Sequence, residues 1–304
     1  MRRLAVRAGL AAGGLLAGVA AIALTSSGDS FDPEVISRSV DIARDAGTAR
    51  ALFTFTLDAP PGFEQQAVSF GGTTDFDFAA DRSRSRFRFV GAVGGDGSSP
   101  DAPAEIEMEL VAVGKEIYLR MPALRAAVPD APSDWFTLDL GRLASVTGEP
   151  SLGLGATDPT QTLEYLRGAS TTVDRIGSEP VGGVDATHYR AEVDLGRAVA
   201  MAPPSRRSVV SDAVEQFRTQ FGTTRFPADV WIDARGLPRR LRFELDLADY
   251  DDSGEVPPGA IMSFTMELSD FGEPVRVKAP SPDLVSDLTT LLDDVRPSTD
   301  GAGS

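Results

Sequence analysis

The chain has 304 residues, 42% hydrophobic and 24% charged, enough for one large antiparallel domain or two small ones. Its net charge of −16 argues against nucleic acid as a partner, because a phosphate backbone needs a basic footprint. The absence of cysteine and the single histidine, His188, exclude disulfides, thiolate metal centres, cysteine nucleophiles and multi-histidine metal sites together.

Residues 1–28 read as a signal peptide or an N-terminal membrane anchor. Arg2, Arg3 and Arg7 precede an uninterrupted apolar run from Ala8 to Leu24, and Thr25-Ser26-Ser27 returns to polar chain. That run lies between a signal core and a short spanning helix in length. Arginines on its N-terminal side predict that everything after residue 28 faces away from the cytoplasm.

Asp32-Pro33 opens a helix, with Asp as N-cap and Pro at the first helical position, and Val35, Ile36, Val40 and Ala43 form its apolar side up to Gly47. Alternating strands follow. Phe53, Phe55 and Leu57 alternate with Thr54, Thr56 and Asp58; Phe76 and Phe78 with Asp75 and Asp77; Phe87 and Phe89 with Arg86 and Arg88. Ile106, Met108 and Leu110 alternate with Glu105, Glu107 and Glu109, and Ile117, Leu119 and Met121 with Glu116, Tyr118 and Arg120.

Residues 122–158 read as a long connection with a short Trp135-Phe136 element. Asp158-Pro159 then caps a helix ending at Gly168. A hairpin over 171–194 turns at Glu179-Pro180-Val181-Gly182-Gly183. Ser208 to Phe221 is expected to be an amphipathic helix with Val210, Val214, Phe217 and Phe221 inward. Residues 226–247 form a second hairpin about Asp233-Ala234-Arg235-Gly236, with Leu241, Phe243, Leu245 and Leu247 on a greasy face and a fully wet face opposite. The last strand carries Met262, Phe264, Met266 and Leu268, and a C-terminal helix is expected from Ser281-Pro282 through Leu284, Leu288, Leu291 and Leu292. Residues 297–304 read as a disordered tail.

These elements predict an α+β fold: a curved antiparallel β half-barrel of about ten to eleven strands, with helices packed on its concave face. Residues 29–296 would form that single domain. Periodicity alone leaves open whether the apolar face is a packed core or a lined pocket.

Three stretches together carry a resemblance: "DPTQTLEYLRGASTTVDRIGSEPVGGVDATHYRAEVDL" (158–195), "FPADVWIDARGLPRRLRFEL" (226–245) and "MELSDFGEPVRVKAPSPDLV" (266–285). In order and spacing they resemble the LolA/LppX-like family of exported lipid carriers, specifically its actinobacterial LppX/LprG lipoprotein branch. The resemblance covers the C-terminal half; residues 30–150 fit by strand pattern only. It implies a half-barrel with an apolar cavity for acyl chains, lined here by Phe53, Phe55, Phe76, Phe78, Phe87, Phe89, Met108, Leu110, Leu119, Tyr189, Val193, Phe217, Val230, Ile232, Phe243, Leu245, Phe264 and Met266. One departure stands out: the lipobox-like place reads Leu24-Thr25-Ser26-Ser27, with serine where that branch carries the acylated cysteine.

No catalytic residue, metal ligand or cofactor is expected. His188 shares the polar face with Arg190, Glu192 and Asp194 without a nucleophile motif, and reads as a solvated strand histidine. Asp249, Asp251, Ser253 and Gly254 imitate the start of a calcium loop, but Ala260 stands where a bidentate Glu is needed, so an acidic hairpin loop is the reading. Arg239, Arg240 and Arg242 could hold a lipid phosphate at a cavity mouth or pair with neighbouring carboxylates. The expected partners are lipid acyl chains and the cell membrane, with the protein monomeric and exported to the envelope or beyond. The alternative is an extracytoplasmic sensor or protein-interaction domain with a filled core.

Overall fold

The computed structural model describes residues 34–58, 60, 68–91, 104–114, 116–122, 125, 131, 133–138, 170–201, 207, 211, 214, 215, 218, 222–250, 256 and 258–287. The expected leader (1–28), the helix at 158–168, Phe217, the core of the acidic loop (251–255) and the tail lie outside them. No helix among the described residues is long and apolar enough to cross a membrane.

Among the described residues the sequence alternation becomes one sheet of twelve strands, most of them explained by a period of two. They are β1 (Thr48–Asp58), β2 (Val68–Asp77), β3 (Arg82–Gly91), β4 (Ala104–Val113), β5 (Glu116–Arg120), β6 (Trp135–Leu138), β7 (Ser170–Val181), β8 (Val184–Asp194), β9 (Arg225–Asp233), β10 (Pro238–Asp246), β11 (Ile261–Ser269) and β12 (Val285–Asp287). Their spatial order is β12-β6-β5-β4-β3-β2-β1-β11-β10-β9-β8-β7. Two meanders, β1–β6 and β7–β11, are thus sewn together where β1 pairs antiparallel with β11, Phe55 opposite Phe264. The sheet is large, curved and open, its ends at β12 and β7.

Helix α1 (Glu34–Asp45) forms where Asp32-Pro33 predicts it, and buries Ile36, Ser39, Val40 and Ala43. It packs against β1 and β10. Ile36 and Val40 join the main apolar cluster with Phe53, Phe55, Leu241 and Phe243. A β-carbon at Gly236, the hairpin turn with φ +82°, would come within 2.5 Å of Ile42 Cδ1, so the glycine lets the helix sit directly on the turn. Residues 207, 211, 214, 215 and 218 are helical, with Val214 half-buried against the core and the other four exposed, as an amphipathic helix requires. A short helix α2 (Leu195–Met201) follows β8 and has no counterpart in the sequence reading.

Three expectations need correction. Among the described residues the strands number twelve rather than ten or eleven, because β6 and β12 are strands too. The C-terminal helix does not begin at Ser281-Pro282: Pro282–Leu284 make one tight 3₁₀ turn, and Ser281 makes no side-chain cap bond. Residues 285–287 then pair in parallel with β6, Val285 opposite Trp135 and Asp287 opposite Thr137, so a ladder on an exposed edge wins over a locally helical pattern. Leu288, Leu291 and Leu292 lie outside the described residues. The hairpin over 170–194 turns at Gly182-Gly183 alone, both at positive φ, with strand pairing running to Val181–Val184.

Candidate functional site

The inward face is organised by phenylalanines in register. Phe89, Phe70, Phe55, Phe264 and Phe243 stand directly opposite one another across β3, β2, β1, β11 and β10, so five neighbouring strands place an aromatic at one level. Phe55 stacks on Phe70 with centroids 4.8 Å apart, and Phe243 lies 6.1 Å from Phe264. Phe226 continues from Phe243 edge-on at 5.6 Å. One level along, Phe53 leans toward Phe87 at 5.3 Å across Gly72. A β-carbon at Gly72 would fall 2.0 Å from the Arg86 carbonyl oxygen and 3.1 Å from the Phe53 ring, so that glycine is required by the packing.

Of the expected lining residues, Phe53, Phe55, Phe76, Phe87, Leu110, Leu119, Tyr189, Val193, Val230, Ile232, Phe243, Leu245 and Met266 are buried. All thirteen belong to one contiguous cluster. Phe78, Met108 and Phe264 are half-buried against that cluster, together with Phe70 and Ile117. Phe89 is placed by register only, and Phe217 lies outside the described residues. Sequence reasoning missed Phe70 and Phe226. The Phe70-Gly71-Gly72 sequence breaks the alternation that would have exposed the first, and Pro227 obscures the second.

The three arginines offered for a headgroup are engaged elsewhere. Arg239 is buried, its Nη2 2.7 Å and Nε 2.8 Å from Asp233 Oδ2, and its guanidinium lies 5.4 Å from the Phe271 ring centroid. Asp233 also accepts the backbone N–H groups of Arg235 (2.8 Å) and Leu237 (3.0 Å), closing its own hairpin turn. Burial pushes the Asp233 carboxyl up, but those backbone bonds and Arg239 outweigh it and hold the carboxyl below its ordinary value. Arg240 donates to Glu267 at 2.7 Å and lies over Trp231, and Arg242 donates to Glu244.

The expected wet face of this hairpin is wet along β10, where Arg242 is exposed, but not along β9. Trp231 and Asp233 are both buried although they point away from Val230 and Ile232. Trp231 forms a small second cluster with Val181 and Ala186, and donates its indole N–H to Glu179 at 2.6 Å. His188 stacks on it at 4.2 Å with ring planes 10° apart, and its Nε2 lies 2.8 Å from Asp229 Oδ1, which Arg190 Nε also reaches at 3.0 Å. His188 is therefore a packed, partnered residue and not a solvated one. Burial pushes the Asp229 carboxyl up, yet the bonds and charge from His188 and Arg190 prevail and hold it low. A single alternating strand cannot reveal that both of its faces are covered. No group of three or more His, Asp or Glu side chains suited to a metal occurs among the described residues.

No family model matches the chain. A curated protein of Streptomyces griseus, an uncharacterized 31.2 kDa protein of the rplA–rplJ intergenic region, is 27% identical over 158 residues, 51% of this chain and 47% of that protein. The chain thus spans about half the length of the curated relative it matches. Among solved structures it is similar to LprF from Mycobacterium bovis, with 14% identity, a TM-score of 0.41 and coverage of 83% of this chain and 100% of that one. It is also similar to the Mycobacterium tuberculosis lipoprotein LppX, with 14% identity, a TM-score of 0.40 and coverage of 82% and 100%. Likenesses at these scores carry no functional argument of their own.

Proposed function

We propose that the protein is an exported, non-enzymatic lipid carrier whose inward face shelters acyl chains of a lipid or lipoconjugate. The observation that carries this reading is the phenylalanine row across five strands, in which Phe70 and Phe264, on either side of buried Phe55, remain half-buried and retain apolar surface for a guest. The resemblance of residues 158–195, 226–245 and 266–285 to the LolA/LppX-like carriers supports the same reading. Half-buried Met108 and Ile117 extend the accessible apolar surface across β4 and β5, and half-buried Phe78 stacks on Phe76 at the end of β2.

Transfer would be driven by desolvation. Sheltering a chain of about 14 methylenes is worth about 10 kcal/mol gross at about 0.8 kcal/mol each, less whatever opening the face costs. Rings and thioethers suit such a guest because they repack around chains of differing shape. The apolar run at 8–24 would export the chain or tether it, and without a lipobox cysteine no thioether anchor can form.

A second reading, an interaction domain with a filled core, draws on the β8–β11 side of the face, where Val193, Val230, Leu245 and Met266 are at most 1% exposed. Titration with a fluorescent long-chain fatty acid separates the two. The carrier reading expects saturable uptake that unlabelled phospholipid competes away and that Phe264→Asp abolishes while the far-ultraviolet circular dichroism is retained. No uptake by the wild-type chain refutes it.

A further inference from the structure

The outward face of the first meander holds a cleft of about 390 Å³ that the carrier reading does not use. Two adjacent cross-strand rows build it. Leu52, Thr73, Arg86, Glu109 and Arg120 stand opposite one another in the first row, and Thr54, Gly71, Arg88 and Glu107 in the second. Gly71 leaves a dent between Thr54 and Arg88, because a β-carbon there would sit 3.0 Å from the Phe53 carbonyl oxygen. Long charged side chains wall this dent, and half-exposed Leu52 forms an apolar lip.

The arginines of the cleft differ from the other ion-paired strand arginines. Arg50, Arg84, Arg190, Arg225, Arg239 and Arg240 each hold a carboxylate at 2.6–3.1 Å. Arg86 and Arg120 hold theirs only at 3.5–3.8 Å: Arg86 to Asp75 and Glu109, Arg120 to Glu109 and Asp134; Arg88 lies 3.5 Å from Glu107 beside them. Glu109 already accepts a 2.6 Å bond from Arg84, so one carboxylate is shared among three guanidiniums. A chain of net charge −16 has thus gathered loosely held forked donors around an opening. Guanidinium forks match the oxygens of a phosphoryl group, and such bonds are strong because both partners are charged.

We infer that this cleft binds a phosphoryl group, with Arg86 and Arg120 as its principal donors, Arg88 assisting and Glu107 opposing. The source is either a phospholipid headgroup at a bilayer surface or a small soluble phosphate compound. The site lies on the face opposite the phenylalanine row, so it stands or falls separately from acyl-chain binding.

The test uses the full chain with two probes: inorganic phosphate by calorimetric titration, and co-sedimentation with phosphatidylglycerol–phosphatidylcholine vesicles against phosphatidylcholine vesicles as background. In whichever assay binds, R86Q/R120Q should weaken affinity by at least about tenfold, the loss expected for charged hydrogen bonds. R225Q, which removes the same type of charge from a tightly paired site, should leave it nearly unchanged. Removing the opposing carboxylate in E107Q should tighten binding about threefold or more, which keeps the test decisive if the double variant does not fold. Binding of phosphate in solution assigns a soluble ligand, and binding to anionic vesicles alone assigns the headgroup. Failure of the wild type in both assays, equal loss in R225Q, or no tightening in E107Q overturns the site.

Discussion

The two meanders share an inward face but manage their outward faces differently. Across β1–β5 the outward side is an open ribbon of charge, in which Asp270, Arg50, Asp75, Arg86, Glu109, Arg120 and Asp134 follow one another across the strands. Across β7–β10 the outward side is closed over Trp231, with His188, Glu179 and Arg240 packed or bonded around it. The first half resembles a one-faced antiparallel sheet apart from Val111, which is buried on its outward side, whereas the second is buried on both sides around Trp231. The difference teaches that one sheet can bury its outward side locally in one half and line it with solvent-facing charge in the other. The half-buried inward residues Phe70, Phe78, Met108 and Ile117 belong to the more exposed half.

If that division is right, the largest losses should come from groups buried in common. Phe55→Ala should destabilise by about 4 kcal/mol in denaturant unfolding, because a buried ring is lost from the seam between the meanders. Asp233→Ala should cost about 3 kcal/mol, since it leaves the Arg239 guanidinium buried without its carboxylate and opens the turn. Trp231→Phe, which keeps an aromatic ring but removes the indole N–H bonded to Glu179 and part of the buried volume, should cost about 1–2 kcal/mol. The matching change on the open half, Arg50→Ala, should cost at most about 1 kcal/mol and shrink further in high salt, because that pair is exposed. Equal costs on the two halves would erase the contrast.

Acid titration sharpens it further. Asp229 is held below its ordinary value, so its contribution is complete above the unfolded carboxylate value, about 3.9, and is lost as pH falls through the folded value. Asp229→Asn should therefore flatten the acid limb of a stability–pH curve.

Much of this was legible in the residues. Phe53, Phe55 and Leu57 against Thr54, Thr56 and Asp58 declare a strand with one apolar side, and Asp32-Pro33 declares α1, because those signals are local. Residues 285–287 could not be read locally, since their conformation comes from an edge of β6 about 150 positions earlier in the chain. The burial of Trp231 and His188 is not legible locally for a related reason: alternation tells which side a residue faces, and neighbouring strands decide whether water reaches it. The headgroup arginines were sought where they cluster in sequence, at 239, 240 and 242. The loosely paired ones sit on two strands, β3 and β5, and meet only through register across β4.

The most direct test of the carrier account is to purify the chain without detergent, record its native mass, and extract the preparation with organic solvent. The account predicts added mass in the lipid range, released on extraction and absent from a Phe264→Asp variant that still folds. A clean unliganded mass, unchanged after incubation with phospholipid, would contradict it and leave the phenylalanine row as a filled core.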